Sequence, residues 1–334
     1  MRSRSQGVFA VLVTVLCACG STPAAAPTPK AAARPARPCF TIHGDSELRP
    51  RDAAKTLDDL VANIHLSPED EALRNPKSLA DIKSILRRDV IYLFANAAAF
   101  ARTLDSTDGR FSEAYLELFL GESQLVASQI LGTRAAWAGN DLRVARANLA
   151  SAEGEPSTDR GRMLTQLIRV VEEGNKVADA LGVVAPAHLA RGAVVIRQLR
   201  KEAPTDMRTY VLVAEYHRLR GEWTEFETAM QAAEAADKDS PTLRYLRGME
   251  QLERFGRPDL GAAIMRECLV KFPRFVRPQV ALVLMAATEA DGVRELEKLK
   301  QMNQDHYLLM LLEPSLAADQ ELTRIESGGA RVPR

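Results

Sequence analysis

TYVLVAEYHRLRGEWTEFETAMQAAEAA, residues 209–236, is the stretch that decides the fold. It reads as two helical runs broken by one turn glycine, Gly221. Turn glycines recur at Gly256 and Gly292, at intervals of 35 and 36 residues. A period of this size with two helices per unit is the mark of a helical solenoid. A single helix pair buries only one face, so neighbouring pairs must stack, and the array curls into a superhelix with a concave inner side. Small residues such as Ala214, Ala233 and Gly248 let the helices approach closely.

Working outward, a second unit spans Pro241 to Pro273 and carries Gly248, Gly256 and "RPDLGAAI" at 257–264. A third, Val276 to Asn303, has a turn at Asp291-Gly292 and a stripe of Leu296, Leu299 and Met302. Upstream, Leu79, Ile82, Leu86, Val90, Leu93, Ala97, Phe100 and Leu104 follow three- and four-residue spacing, which predicts one amphipathic helix. A second long helix is expected from Phe111 to Trp137, begun after the Thr107-Asp108-Gly109 turn and ended by Gly139-Asn140. A third carries Met163, Leu167, Val170, Val171, Val177 and Leu181, capped by Ser157-Thr158-Asp159 and closed near Gly182. Ala, Leu, Arg and Glu dominate, and no run of alternating β-branched residues suggests a sheet. The expected class is all-α.

Residues 207–240 resemble the tetratricopeptide (TPR) repeat. Tyr210, Val213, Ala214 and His217 match the large–large–small–large pattern of its first helix. Trp223 takes the aromatic position after the turn, and Met230 and Ala233 match the second helix. Phe226 stands where a small Ala is usual, which implies a wider helix crossing. The likeness covers about a third of the chain. It implies a right-handed superhelical solenoid of antiparallel helix pairs over 207–326, with Ser315–Glu326 as a capping helix and a tail at 327–334. Residues 46–206 then read as divergent TPR-like hairpins, Phe111–Ser151 and Asp159–Ala203, with helices too long for the standard unit. By the same resemblance, Arg208, Val211, Glu215, Arg218 and Leu219 point into the concave groove, a mixed surface that suits a peptide or partner helix.

The N-terminus predicts an address. Arg2 and Arg4 precede an apolar run, Gly7 to Leu16, of roughly ten residues, too short for the ~20 that span a bilayer. Leu16-Cys17-Ala18-Cys19 ends this run and resembles a bacterial lipobox, with cleavage after Ala18 and lipidation of Cys19. Only cysteine offers the thiol nucleophile that diacylation needs at neutral pH. Cys17 is unsuited, because bulky Leu16 would precede the cut. Several acyl chains, at ~0.8 kcal/mol per buried methylene, anchor stably where one is marginal. Gly20 follows rather than Asp, which by resemblance to the enteric sorting rule implies the outer membrane. Residues 1–18 are thus the expected signal. Residues 19–45, rich in Ala and Pro, form an extended tether.

Charge and motifs exclude several classes. The 334-residue chain carries 44 basic and 44 acidic residues, and loss of Arg2 and Arg4 leaves 42 against 44. No field draws nucleic acid, and no aromatic-lined basic track appears. His43, His65, His188, His217 and His306 are isolated, with no HExxH, CxxC, G-x-S-x-G or G-x-x-x-x-G-K pattern. No catalytic, metal or cofactor residue is assigned. His217 falls on a packing position, and Trp137 and Trp223 read as packing residues at helix ends. Glu172-Glu173 and Asp58-Asp59 read as solvated helical faces. Cys39 and Cys268 survive outside the signal, and Cys268, in an apolar helical pattern, is expected as a buried thiol rather than a bridge.

These features together imply a membrane-anchored, non-enzymatic scaffold or assembly factor of the cell envelope, facing the periplasm and binding an envelope protein or peptide. The alternative is a ligand-binding accessory lipoprotein of a solute transporter, since some such lipoproteins have a TPR-like fold with long N-terminal helices.

Overall fold

The computed structural model describes residues 49–62, 64, 66–151, 159–304 and 306–326. Ala18, Cys19, the tether as far as Asp45, Cys39 and the tail 327–334 lie outside the described residues. Every regular element among those described is helical. In chain order they are α1 (Pro50–Ala62), α2 (Pro68–Ala72), α3 (Leu79–Arg88), a 3-10 turn (Ile91–Leu93) and α4 (Phe94–Arg102). Two long helices follow, α5 (Thr107–Ser151) and α6 (Asp159–Glu202). The rest are α7 (Met207–Arg220), α8 (Trp223–Ala236), α9 (Pro241–Glu253), α10 (Pro258–Lys271), α11 (Val276–Leu284), α12 (Glu289–Met302) and α13 (Tyr307–Glu326).

Local chemistry sets the boundaries of the C-terminal pairs. Asp206 caps α7 by accepting the Arg208 N–H at 2.8 Å, and Gly221 ends it in the left-handed region at φ 68°. There the Gly221 and Glu222 N–H groups turn back onto the Arg218 and His217 carbonyls, satisfying acceptors the helix leaves open. Gly256, at φ 61°, makes the corresponding turn after α9. Pro241 and Pro258 stand at the starts of α9 and α10, where a missing N–H costs nothing. The first helices of the three pairs begin at 207, 241 and 276, which are 34 and 35 residues apart.

The third turn differs from expectation. Thr288 Oγ1 accepts the Asp291 N–H at 3.1 Å, so α12 starts at Glu289 and Gly292 lies in its first turn, not between helices. The reach of a threonine N-cap decides this against the glycine.

Upstream, the 79–104 stripe is not one helix. Asp89 adopts φ 55°, ψ 45°, a left-handed stop that Asp tolerates, and a 3-10 turn leads into α4. The stripe still packs, since Ile82, Val90, Leu93 and Ala97 are buried. Thr107-Asp108-Gly109 forms the first turn of α5, because the Ser106 hydroxyl accepts the Gly109 N–H at 3.0 Å. The helix then runs through Trp137 and Gly139-Asn140 to Ser151, and α6 runs through Gly182 and Pro186 to Glu202. A lone glycine costs a helix about 1 kcal/mol, too little by itself to end one of this length. The two expected hairpins, Phe111–Ser151 and Asp159–Ala203, are therefore two single helices. The last helix begins at Tyr307 rather than Ser315.

Among the described residues the chain divides into two units. Unit 1 takes in Leu66–Glu122 and Ala187–Gln304, and unit 2 the rest. Met207 is thus not a unit boundary, since parts of α5 and α6 share unit 1 with α7–α12.

In unit 1, α5 and α6 run antiparallel: Arg110 meets Glu202 at 2.6 Å and Glu117 meets Arg191 at 3.0 Å. Each of α7, α9 and α11 packs on the helix that follows it, and α9 also packs on α7 and α11. Phe226, Met230, Leu246 and Met265 are fully enclosed in the core they share with Leu118 and Leu199. Gly248 of α9 lies directly against Gly261 of α10. A Cβ on Gly261 would sit 2.8 Å from the Gly248 carbonyl oxygen.

In unit 2, the Ser128 hydroxyl donates to the Ala178 carbonyl at 2.8 Å, joining α5 to α6. The Tyr307 hydroxyl donates to the Ser123 carbonyl at 2.8 Å. Ala53, Ala127, Ala180, Ala185 and Leu308 are buried there.

Candidate functional site

The feature of unit 1 that stands out is a group of charged side chains where an apolar core is the norm. Glu122 comes from α5, Glu215 and Arg218 from α7, Tyr245 and Glu253 from α9, and Arg277 from α11. Glu215 and Arg218 are three apart, so they share one face of α7. All five charged side chains are 6% exposed or less.

Arg218 donates to Glu253 at 2.6 Å, to Glu215 at 3.1 Å, and to Glu122. Arg277 donates to Glu122 and to both oxygens of Glu215. The Tyr245 hydroxyl donates to Glu122 at 2.7 Å. The Arg277 guanidinium also lies 4.2 Å from the ring centre of Tyr245 and 4.7 Å from that of Phe119. Planar guanidinium suits this double use as fork and as stacking cation.

Three carboxylates face two guanidiniums, and their protonation divides accordingly. Burial opposes the Glu122 carboxylate, but Arg218 and Arg277 beside it bring its pKa down to about 2. Burial pushes the Glu253 carboxyl up to about 7, against the pull of Arg218, its one cationic partner. Both arginines stay charged, since the carboxylates more than offset their burial. Arg218 Nε, Arg277 Nε and Glu253 Oε2 are buried without a hydrogen-bond partner.

Two further networks border this one. Arg247 is held by Glu234 at 2.8 Å, Glu227 at 2.7 Å and Glu250 at 2.9 Å, and Arg254 also reaches Glu250. Buried Glu117 accepts from Arg102 at 2.9 Å and Arg191 at 3.0 Å, with His188 Nδ1 at 2.7 Å. Burial would raise the Glu117 pKa, but His188 and Arg191 more than offset it and the pKa falls. By length and composition Ile168–Glu202 of α6 is apolar enough to cross a membrane. In unit 1 that stretch spends His188, Arg191 and Glu202 on protein partners instead.

The expected groove residues separate. Arg208 is exposed, paired to Asp206 and to Asp108 at 2.7 Å, with its guanidinium 3.9 Å from the Phe111 ring centre. Val211 is half-buried against the core, and Leu219 is inside it. Glu215 and Arg218 are sealed in the charge cluster instead of lining an open surface. The reason is α5. Its Asp108 and Phe111 meet Arg208 of α7, and its Glu122 meets Arg218 of α7, Tyr245 of α9 and Arg277 of α11.

Glu122, Tyr245, Glu253 and Arg277 were not legible as a set. No local spacing links groups that lie as far apart as Glu122 and Arg277. His217 is half-buried, as its packing position implied, with Nδ1 2.7 Å from Glu222. Trp223 starts α8 with its ring edge-on to Phe226. Cys268 is a buried free thiol, which burial makes a weaker acid. Glu172, Glu173, Asp58 and Asp59 are exposed. Among the described residues no group of three His, Cys, Asp or Glu is placed to hold a metal ion.

Compared with protein-family models, with curated proteins and with solved structures, the chain matches none.

Proposed function

We propose that the chain is a lipid-anchored, non-enzymatic scaffold or assembly factor of the bacterial cell envelope. In this reading Cys19 carries the lipid, the Ala/Pro-rich tether spaces the body from the outer membrane, and the body faces the periplasm. The body is a TPR-like right-handed solenoid over α7–α12. The observation that carries the reading is the succession of three helix pairs whose first helices start 34 and 35 residues apart, with left-handed glycine turns at Gly221 and Gly256. The inner side of that solenoid is occupied by α5, so an envelope protein or peptide meets other faces. Of the expected groove set, Arg208 alone is exposed to take part.

A second reading, the ligand-binding accessory of a solute transporter, is favoured by the 45 and 44 residues of α5 and α6, since the resemblance behind it implies long helices. One pair of experiments separates them. Radioactive palmitate is expected to label the wild type and spare Cys19→Ala; equal labelling removes the anchor. Cross-linking in intact envelopes is expected to join the protein to a specific envelope partner. Recovery alone with a copurifying small solute replaces the scaffold by the transporter accessory.

A further inference from the structure

The buried cluster holds one carboxyl more than its two arginines neutralise. Of the three, Glu122 takes both arginines and the Tyr245 hydroxyl, and Glu215 takes both arginines. Glu253 has Arg218 on Oε1 only, and its Oε2 is buried without a partner. A carboxylate oxygen enclosed without a donor is costly, whereas the same oxygen carrying a proton is not charged at all.

We propose that Glu253 is a proton-linked latch between α7 and α9: a neutral carboxylic acid, protonated on Oε2, while it holds Arg218, which loosens that contact when it ionises.

The groups facing it determine this. From α7 come Glu215 and Arg218, from α5 Glu122, and from α11 Arg277. On α9 itself Tyr245 is bonded to Glu122 and Arg247 gathers Glu227 and Glu234 of α8, and Arg254, just past its end, bonds Glu250. The charged side chains of α10, the other helix packed on α9, are Asp259, Arg266, Glu267 and Lys271, and all are exposed. With Glu253 neutral, two carboxylates balance two guanidiniums. With Glu253 ionised, the enclosure holds a net negative charge beside the end of α9 and the Gly256 turn.

The direction of the pH effect follows. The folded group binds its proton more tightly than an unfolded glutamate, whose pKa is ~4.3. Its contribution to stability is therefore complete below that value and is lost as pH rises through about 7. Glu253→Gln imitates the neutral acid and should remove this dependence.

The experiment is urea unfolding of the full chain from about pH 5 to about pH 8, together with a carboxyl-carbon NMR titration on glutamate-labelled protein. The wild-type folding constant is expected to fall by up to roughly tenfold per pH unit from about pH 5 to about pH 7 and to level off above that. Glu253→Gln should be flatter and at least as stable as the wild type at the alkaline end. The NMR signal missing from the variant should titrate near neutrality in the wild type. Glu215→Gln, which removes the surplus carboxylate elsewhere, should move that titration to lower pH. If the wild-type slope survives in Glu253→Gln, or the Glu253 carbon titrates with the exposed glutamates, the latch is overturned. Should Glu253→Gln fail to fold, the response to Glu215→Gln decides alone, and no movement of the near-neutral signal overturns the proposal.

Discussion

Glu122 on α5 and Arg277 on α11 lie 155 residues apart in sequence and form an ion pair in the interior of unit 1. The pair joins a helix that precedes the repeats to the first helix of the third pair. Buried ion pairs add little net stability over apolar packing of the same shape, but removing one partner leaves a charge stranded. Arg277→Met leaves Arg218 alone with three carboxylates and should cost about 3–5 kcal/mol in urea unfolding. In a double-mutant cycle with Glu122→Gln, the coupling should be roughly 0.5–3 kcal/mol. Additive losses would place the value of each residue outside their contact.

Acid should act on the same carboxylate. The Glu122 pKa is about 2 in the folded chain, below an unfolded glutamate, so its contribution is present above ~4.3 and lost as pH falls toward 2. Glu122→Gln is expected to be less stable at neutral pH and to lose less on acidification over that window. Parallel curves for the two proteins would contradict the assignment.

The α9–α10 crossing separates two glycines that look alike in sequence. A methyl on Gly261 meets the Gly248 carbonyl oxygen at 2.8 Å, and backbone cannot step aside. Gly261→Ala should destabilise by about 1–3 kcal/mol. A methyl on Gly248 meets first the terminal Cε of Met265, at 2.6 Å. That end can swing, so Gly248→Ala should cost less. Thermal unfolding of both variants checks the order.

Gly174, inside α6, has the opposite expectation. Nothing lies within 4 Å of the Cβ it would gain. Gly174→Ala should stabilise by about 0.4–1 kcal/mol through the entropy of the unfolded chain. A lower melting temperature in this variant would mean that its backbone is not ordinary helix.

Helix type and the pair repeat were legible because they rest on short-range signals. Gly221, Pro241, Gly256 and Pro258 act within one turn of where they stand, and their chemistry reads directly. Helix ends that depend on the balance of a glycine against packing were not. Gly139, Gly182 and Gly292 look like stops, yet α5 and α6 run on through the first two and the Thr288 cap starts α12 before the third, a lone glycine costing only about 1 kcal/mol. Asp89 shows the converse, a non-glycine residue that ends a helix where the apolar stripe continues.

Sequence alone determined the helical class, the 35-residue interval between the Gly221 and Gly256 turns, Gly248 as a close-packing residue and the exposure of Glu172-Glu173 and Asp58-Asp59. Periodicity and caps are properties of neighbours along the chain, and neighbours are what a sequence records. Tertiary structure decided what surrounds the charged residues of α7. Apart from their contact with each other, Glu215 and Arg218 find their ionic partners on other helices, Glu122 of α5, Glu253 of α9 and Arg277 of α11, which together close them in. A charged residue in a helix carries the same letters whether it meets water or three buried partners. The difference is made by groups up to 155 residues away, through the burial and charge they bring.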